Sequence, residues 1–213
     1  GRQELAYGDE RLVGAFGWSN IGRSFDAAKL RLGWERFWID GFFAWNESAG
    51  GNEYFSGLYG SMKEFMHSMG MDGYVLLLRD NDGDGVAGLN SLTLVTIGHR
   101  MFGRVWNDRI DYNTEMALQT GKSSPNTHMA HAIHAAAGHT WKAAGEPRVG
   151  LEFNYASGDK PGTARVERFN NLFPTNHDKY GYIDFASWRN LFDIVGSVGA
   201  KPSSKTSLKL DYH

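Results

Sequence analysis

The sequence predicts an all-β chain of antiparallel strands in up-and-down order, and three observations carry that prediction. Arg109, Asp111, Asn113, Glu115 and Gln119 alternate with Ile110, Tyr112, Thr114, Met116 and Leu118. Successive side chains on a strand point to opposite faces, so one face of this segment is polar and the other apolar. The pattern recurs: Arg148, Glu152 and Asn154 alternate with Val149, Leu151, Phe153 and Tyr155, and Lys205, Ser207, Lys209 and Asp211 with Thr206, Leu208, Leu210 and Tyr212. Turn chemistry, with no change of composition that would mark a linker, separates these runs, so residues 1–213 read as a single domain.

Taken in order, Arg2 to Tyr7 is strand-like. Phe25–Trp34 and Arg36–Trp45 form a hairpin, the second strand setting Phe37, Ile39, Phe43 and Trp45 opposite Arg36, Trp38 and Asp40. Glu53–Ser61, Gly73–Arg79 and Ser91–Met101 follow, with a turn at Asp80–Gly85 where glycine and aspartate supply positive φ. Met62–Met71 could begin a short helix and is read as loop. One long strand, Val105–Gly121, leads through Lys-Ser-Ser-Pro-Asn into Thr127–Lys142, and Gly145-Glu146-Pro147 turns into Arg148–Ser157. Gly158–Ser187 is a long loop, and Asn190–Lys201 and Lys205–His213 close the series. About ten strands with one long and many short connections is the order expected of a transmembrane β-barrel. The first and last segments both read as strands cut short, so the chain is expected to be part of a larger barrel, incomplete at both ends.

Composition sets bounds. Twenty-two basic and 24 acidic residues, a net charge of -2, leave no basic stripe for nucleic acid. With no cysteine, thiolate metal sites and nucleophiles are ruled out. No apolar run reaches the ~18 residues of a membrane helix; barrel strands, apolar only at alternate positions, give no such run.

Candidate chemistry is sparse. His128, His131 and His134 recur every third residue; a helix would gather them for a metal, whereas a strand sends His128 and His134 to one side and His131 and His139 to the other. The strand reading fits its neighbours. Asp80, Asp82 and Asp84 before Gly85 imitate the first half of an EF-hand loop, so weak calcium binding is the one cofactor expectation. The glutamate due six residues beyond Gly85 is Ser91, which makes a solvated turn the plainer reading. There is no Gly-x-Ser-x-Gly elbow, His-Glu-x-x-His pair or phosphate cradle, so no enzyme is predicted.

The runs Tyr112-Asn113-Thr114-Glu115-Met116, Gly150-Leu151-Glu152-Phe153-Asn154-Tyr155-Ala156-Ser157-Gly158-Asp159 and Asn171-Leu172-Phe173-Pro174-Thr175-Asn176-His177 resemble the alginate export family of outer-membrane β-barrel porins. Gly1-Arg2-Gln3-Glu4-Leu5, Arg11-Leu12 and Trp188-Arg189-Asn190-Leu191 are similar to it as well. The most specific element is the Ala-Ser-Gly-Asp strand end joined to the Leu-Phe-Pro-Thr loop. The resemblance implies a barrel of about eighteen strands in the bacterial outer membrane. It also implies a channel for anionic polysaccharide or other anionic solutes, with lipid and lipopolysaccharide around it; a periplasmic export partner stays unspecified.

Strand parity then places Lys29, Arg31, Arg36, Arg109, Arg148 and Lys209 on the face opposite the apolar residues, as a cationic lumen that attracts uronate carboxylates. Asp40, Asp111, Glu115, Glu152 and Asp211 interrupt that field, either holding the cations in place or weakening anion preference. The Gly158–Ser187 loop can fold inward or cap the mouth, and its Leu172-Phe173-Pro174 core is read as packing against the rim. Trp34, Trp45, Trp141, Tyr155 and Tyr212 suit an interfacial girdle. Two other readings fit the same alternation: a soluble carbohydrate-binding β-sandwich, whose apolar faces would meet in a core, and an outer-membrane hydrolase.

Overall fold

Period-two alternation, broken by glycine, asparagine and aspartate turns, folds into one antiparallel sheet in a computed structural model that describes residues 1–48, 51–66, 68–81, 91–177, 179–181 and 185–213. Among the described residues there are twelve strands and no helix. They are β1 (Arg2–Gln3), β2 (Phe25–Gly33), β3 (Phe37–Ser48), β4 (Gly51–Met66), β5 (Met69–Asp80), β6 (Leu92–Val105), β7 (Ile110–Ser123), β8 (Asn126–Thr140), β9 (Arg148–Ala156), β10 (Arg165–Val166), β11 (Leu191–Ser203) and β12 (Thr206–Tyr212). Each pairs with its sequence neighbour, except that β9 pairs with β11 while β10 lies parallel to β8. β1 and β12 are the edges, so this is an up-and-down partial barrel wall.

The outward face is the apolar one. Leu30, Leu58, Ile97, Leu118, Leu151 and Leu210 are all exposed, Leu118 at 64 %, while their inward neighbours Glu115, Gln119, Asp40, Asp72 and His134 are buried. Water would reverse this distribution, and among the described residues no second sheet covers the outer face, which overturns the sandwich reading. Such a surface fits acyl chains. Trp34 and Trp141 stand exposed at the connections after β2 and β8, where interfacial rings are expected.

Several elements differ from the sequence expectation. Met62–Met71 is not loop: β4 runs to Met66 and β5 begins at Met69, with Met62 opposite Met71 and a bulge between Met62 and Met66. Glu64 and Ser68 are left-handed there, and Phe65 and Met66 are exposed. The strand Val105–Gly121 is two pieces, because Trp106, Asn107 and Asp108 are all left-handed and Val105 pairs with Ile110. Asn-Asp is turn chemistry; the tryptophan before it disguised the turn. Only Arg2 and Gln3 of the first segment join the sheet. From there the chain turns inward, where Leu5 and Tyr7 are buried.

The inward face is not uniformly wet either. Phe25, Phe42, Phe55, Leu76, Leu78, Leu92 and Leu94 point in and form a core with two inserted segments, residues 4–24 and the described residues of 157–190. Both segments spring from the same end of the sheet, opposite the turns after β2, β4, β6 and β8. Residues of β2, β4, β7 and β9 all touch them, so the sheet curls around its own inserts.

Candidate functional site

The inserts are knitted to each other before they meet the wall. Val13 and Phe173 form a parallel bridge. Gly14 N donates to Phe173 O at 2.8 Å, Phe173 N to Leu12 O at 2.9 Å and Thr175 N to Glu10 O at 2.9 Å. Phe173 is therefore not a rim contact: its ring lies inside, 5.1 Å from Phe25 and 4.9 Å from Phe55. Gln119 clamps the second insert in both directions, Nε2 donating to Asn170 O at 2.6 Å and Oε1 accepting from Asn170 N at 2.9 Å.

Across β3–β7 the wall meets the inserts through stacked tyrosines that each donate to a carboxylate. Tyr7 donates to Asp40 at 3.0 Å, Tyr59 to Asp72 at 2.9 Å and Tyr74 to Glu115 at 2.8 Å. Tyr7 stacks on Tyr59 at 4.5 Å and Tyr59 on Tyr74 at 5.6 Å. Burial and the Asp40 charge both push the Tyr7 hydroxyl above the usual tyrosine range, so it stays a donor. Register sets the cations beside these acids: Arg31 lies directly across from Asp40 and Arg100 from Asp72. Arg31 grips Asp40 with two bonds of 2.6 and 2.8 Å over the face of Trp38, and Arg100 lies over Phe102.

Arg11 joins the inserts to β8 and β9. Only 3 % exposed, it donates to Asp9, Asn154, Tyr180 and Glu152 at 3.0–3.3 Å, and its Nη2 lies 3.3 Å from His134. Burial opposes its charge, but Tyr180, Asp9 and Glu152 outweigh it and hold the guanidinium protonated, its pKa above the ordinary arginine value. Burial likewise opposes ionisation of Asp9, yet Arg11, Lys179 and Arg100 hold its carboxyl below the usual range.

Beyond Arg11 the packing stops. Between the second insert and β8, β9, β11 and β12 lies a cavity of about 460 Å³ lined by Arg148, Lys179, Lys209, Glu152, Asp211, His177 and His213. Its charged lining is three cations against two carboxylates, with two histidines. Arg148 holds Asp111 by bonds of 3.0 and 2.5 Å, reaching across β8 at Gly138, where a Cβ would overlap the guanidinium. Lys209 pairs with Asp211 at 2.8 Å. These pairs are partly solvated, and among the described residues no ring lies over them.

The predicted lumen residues therefore part company. Arg148, Glu152, Lys209 and Asp211 converge on the cleft, and Asp111 stands beside it through Arg148. Asp40 and Glu115 are buried among tyrosines, and Lys29 and Arg31 lie on β2 on the other side. Arg36 and Arg109 sit exposed in turns rather than on strands, Arg109 6.0 Å from the Trp106 ring. His128 and His134 face in and His131 out, as a strand requires. Among the described residues no His, Asp or Glu cluster suits a metal; Asp80 ends β5, and Asp82 and Asp84 lie outside the described residues. Arg11, Gln119, Asp72 and Arg100 had no place among the predicted lumen residues.

An inverted sheet, apolar outside and charged within, around a cationic cleft is the setting in which the comparison with known families counts. Residues 1–213, the entire chain, match the family described as Alginate export. The chain belongs to the alginate export family. That family is one of outer-membrane polysaccharide-export channels and not of enzymes. No curated protein matches the sequence. Membership in a family of outer-membrane proteins fits the outward apolar belt.

Proposed function

We propose that this chain forms wall and constriction of an outer-membrane channel that passes an anionic polysaccharide, or other anionic solutes, by passive diffusion. One observation carries the reading: Arg148, Lys179 and Lys209 border an open cavity, where a passing carboxylate can reach them. Arginine there offers paired, planar donors and lysine a point charge, and a narrow polar lumen makes such charges set ion preference.

The test is the reversal potential of the full-length protein in planar bilayers under a salt gradient. Arg148→Ala combined with Lys209→Ala lowers anion preference, while Arg109→Ala, in an exposed turn, shifts it less. An unchanged reversal potential in the double variant defeats the assignment.

A further inference from the structure

One exposed ring is held too firmly for a stray surface residue. Phe16 is left-handed, with φ 59°, a backbone region disfavoured for a bulky side chain. The turn it makes is closed by Ser19 N donating to Phe16 O at 3.2 Å, and it is fastened to the second insert where Phe16 N donates to Thr175 Oγ1 at 3.0 Å. The turn sets Trp18 face to face with His177, ring centroids 3.8 Å apart and planes 10° from parallel, with the Phe16 ring 5.0 Å away. Trp18 is nevertheless 48 % exposed, whereas Trp188, the tryptophan that serves the core, is fully buried.

The rings border a second cavity of about 460 Å³, lined also by Asp9, Glu10, Thr175 and Lys179. His177 and Lys179 line both this cavity and the cationic cleft, so the two spaces meet along one stretch of the second insert. A pyranose ring has an apolar face of C–H groups and a rim of hydroxyls. A flat indole offers the matching surface, with negative charge on its face and little rotamer freedom to lose.

We propose that Trp18, backed by the His177 ring, forms a stacking platform for one sugar ring of an acidic polysaccharide, with Lys179, now paired with Asp9 at 3.5 Å, taking that sugar's carboxylate and the Glu10 carboxylate accepting its hydroxyls. This rests on the channel reading above and adds a second element of recognition, ring shape beside charge. Each insert supplies one ring, so the platform exists only while both are docked, and a bound sugar favours the docked arrangement.

Calorimetric titration of the full-length protein in detergent tests this with two probes of equal charge, a hexameric oligouronate cut from alginate and hexaglutamate. The unsubstituted protein is expected to bind the oligouronate more tightly. Trp18→Leu weakens oligouronate binding about tenfold, or about 1.4 kcal/mol, and leaves hexaglutamate binding alone; Trp18→Tyr, which keeps a ring, stays within about threefold. Equal binding of the two probes by the unsubstituted protein overturns the platform and leaves the channel standing. So does oligouronate binding that Trp18→Leu does not change, or a loss on both probes that Trp18→Tyr does not repair. If neither probe binds the unsubstituted protein, the polysaccharide reading falls, and the platform with it.

Discussion

The inner faces around Asp40 and Asp72 and around Arg148 and Lys209 use the same parts, a basic side chain set against an aspartate, and differ in what lies over them. In the first, Asp40 and Asp72 are buried, each also accepts a tyrosine hydroxyl, and their arginines lie over Trp38 and Phe102. In the second, Arg148–Asp111 and Lys209–Asp211 keep roughly a third or more of each side chain in solvent and border a cavity. Charge content does not separate a structural wall from the one proposed to conduct. Coverage of the aspartates does, because a buried carboxylate already satisfied by a tyrosine and an arginine has nothing left to exchange, whereas a half-solvated pair changes partners at little cost.

Arg11, at the join of the two regions, gives the sharpest way to break this contrast. Arg11→Met leaves Asp9 and Glu152 without their buried cation, and removing one partner from a buried charge cluster costs about 3–5 kcal/mol. Limited proteolysis in detergent is expected to cut residues 4–24 while the sheet persists, and single-channel conductance to rise. A protected segment and an unaltered conductance show that the rings alone hold the inserts. Next in size is Tyr59→Phe, which removes a donor from buried Asp72 at a cost of about 1–3 kcal/mol. The unfolding temperature read from heat-dependent gel mobility should fall with no change in reversal potential. Arg148→Ala should do the reverse: its half-exposed pair contributes about 1 kcal/mol or less, yet ion preference moves. Two variants that moved both readouts together would erase the distinction between the halves.

How much of this could be read from the residues follows the range of the interactions. Faces are local, so the alternation around Glu115 and around Leu151 placed both correctly, and the Pro-containing turns marked the hairpins β7–β8 and β8–β9. Arg100 is within reach too: it shares the inward parity of Leu94 and Thr96 on β6, but its partner Asp72 falls just before the strand expected at Gly73–Arg79. Arg11 was not legible. It sits in an aperiodic stretch and its partners lie up to 169 residues away, so no spacing rule could join them. The Gln119 clamp on Asn170 was hidden for the same reason. The inward core was missed because alternation reveals which side chains share a face but not what arrives to cover that face. Phe25 and Phe55 are covered by Phe173, which comes from the far end of the chain.

The smallest expected effect concerns acid, and it tests whether the covered region opens from its edge. Asp9 touches Arg11 at 3.1 Å, Lys179 at 3.5 Å and the Asn113 amide at 3.3 Å, and these cations hold its carboxyl below the ordinary range despite burial. A group with a depressed folded pKa stabilises the docked state fully above its unfolded value, about 3.9, and that contribution is lost as pH falls through the lower folded value. Protease susceptibility of residues 4–24 should therefore be flat from pH 8 to about pH 5 and rise only below about pH 4. Asp9→Asn should raise the neutral-pH level and flatten the acid limb. The change is smaller than for Arg11→Met because Glu152, Tyr180 and Asn154 still hold the arginine. If the acid limb survives in Asp9→Asn unchanged, the edge of the insert is held by some other carboxylate, and Glu152, the remaining acid on Arg11, becomes the one to replace.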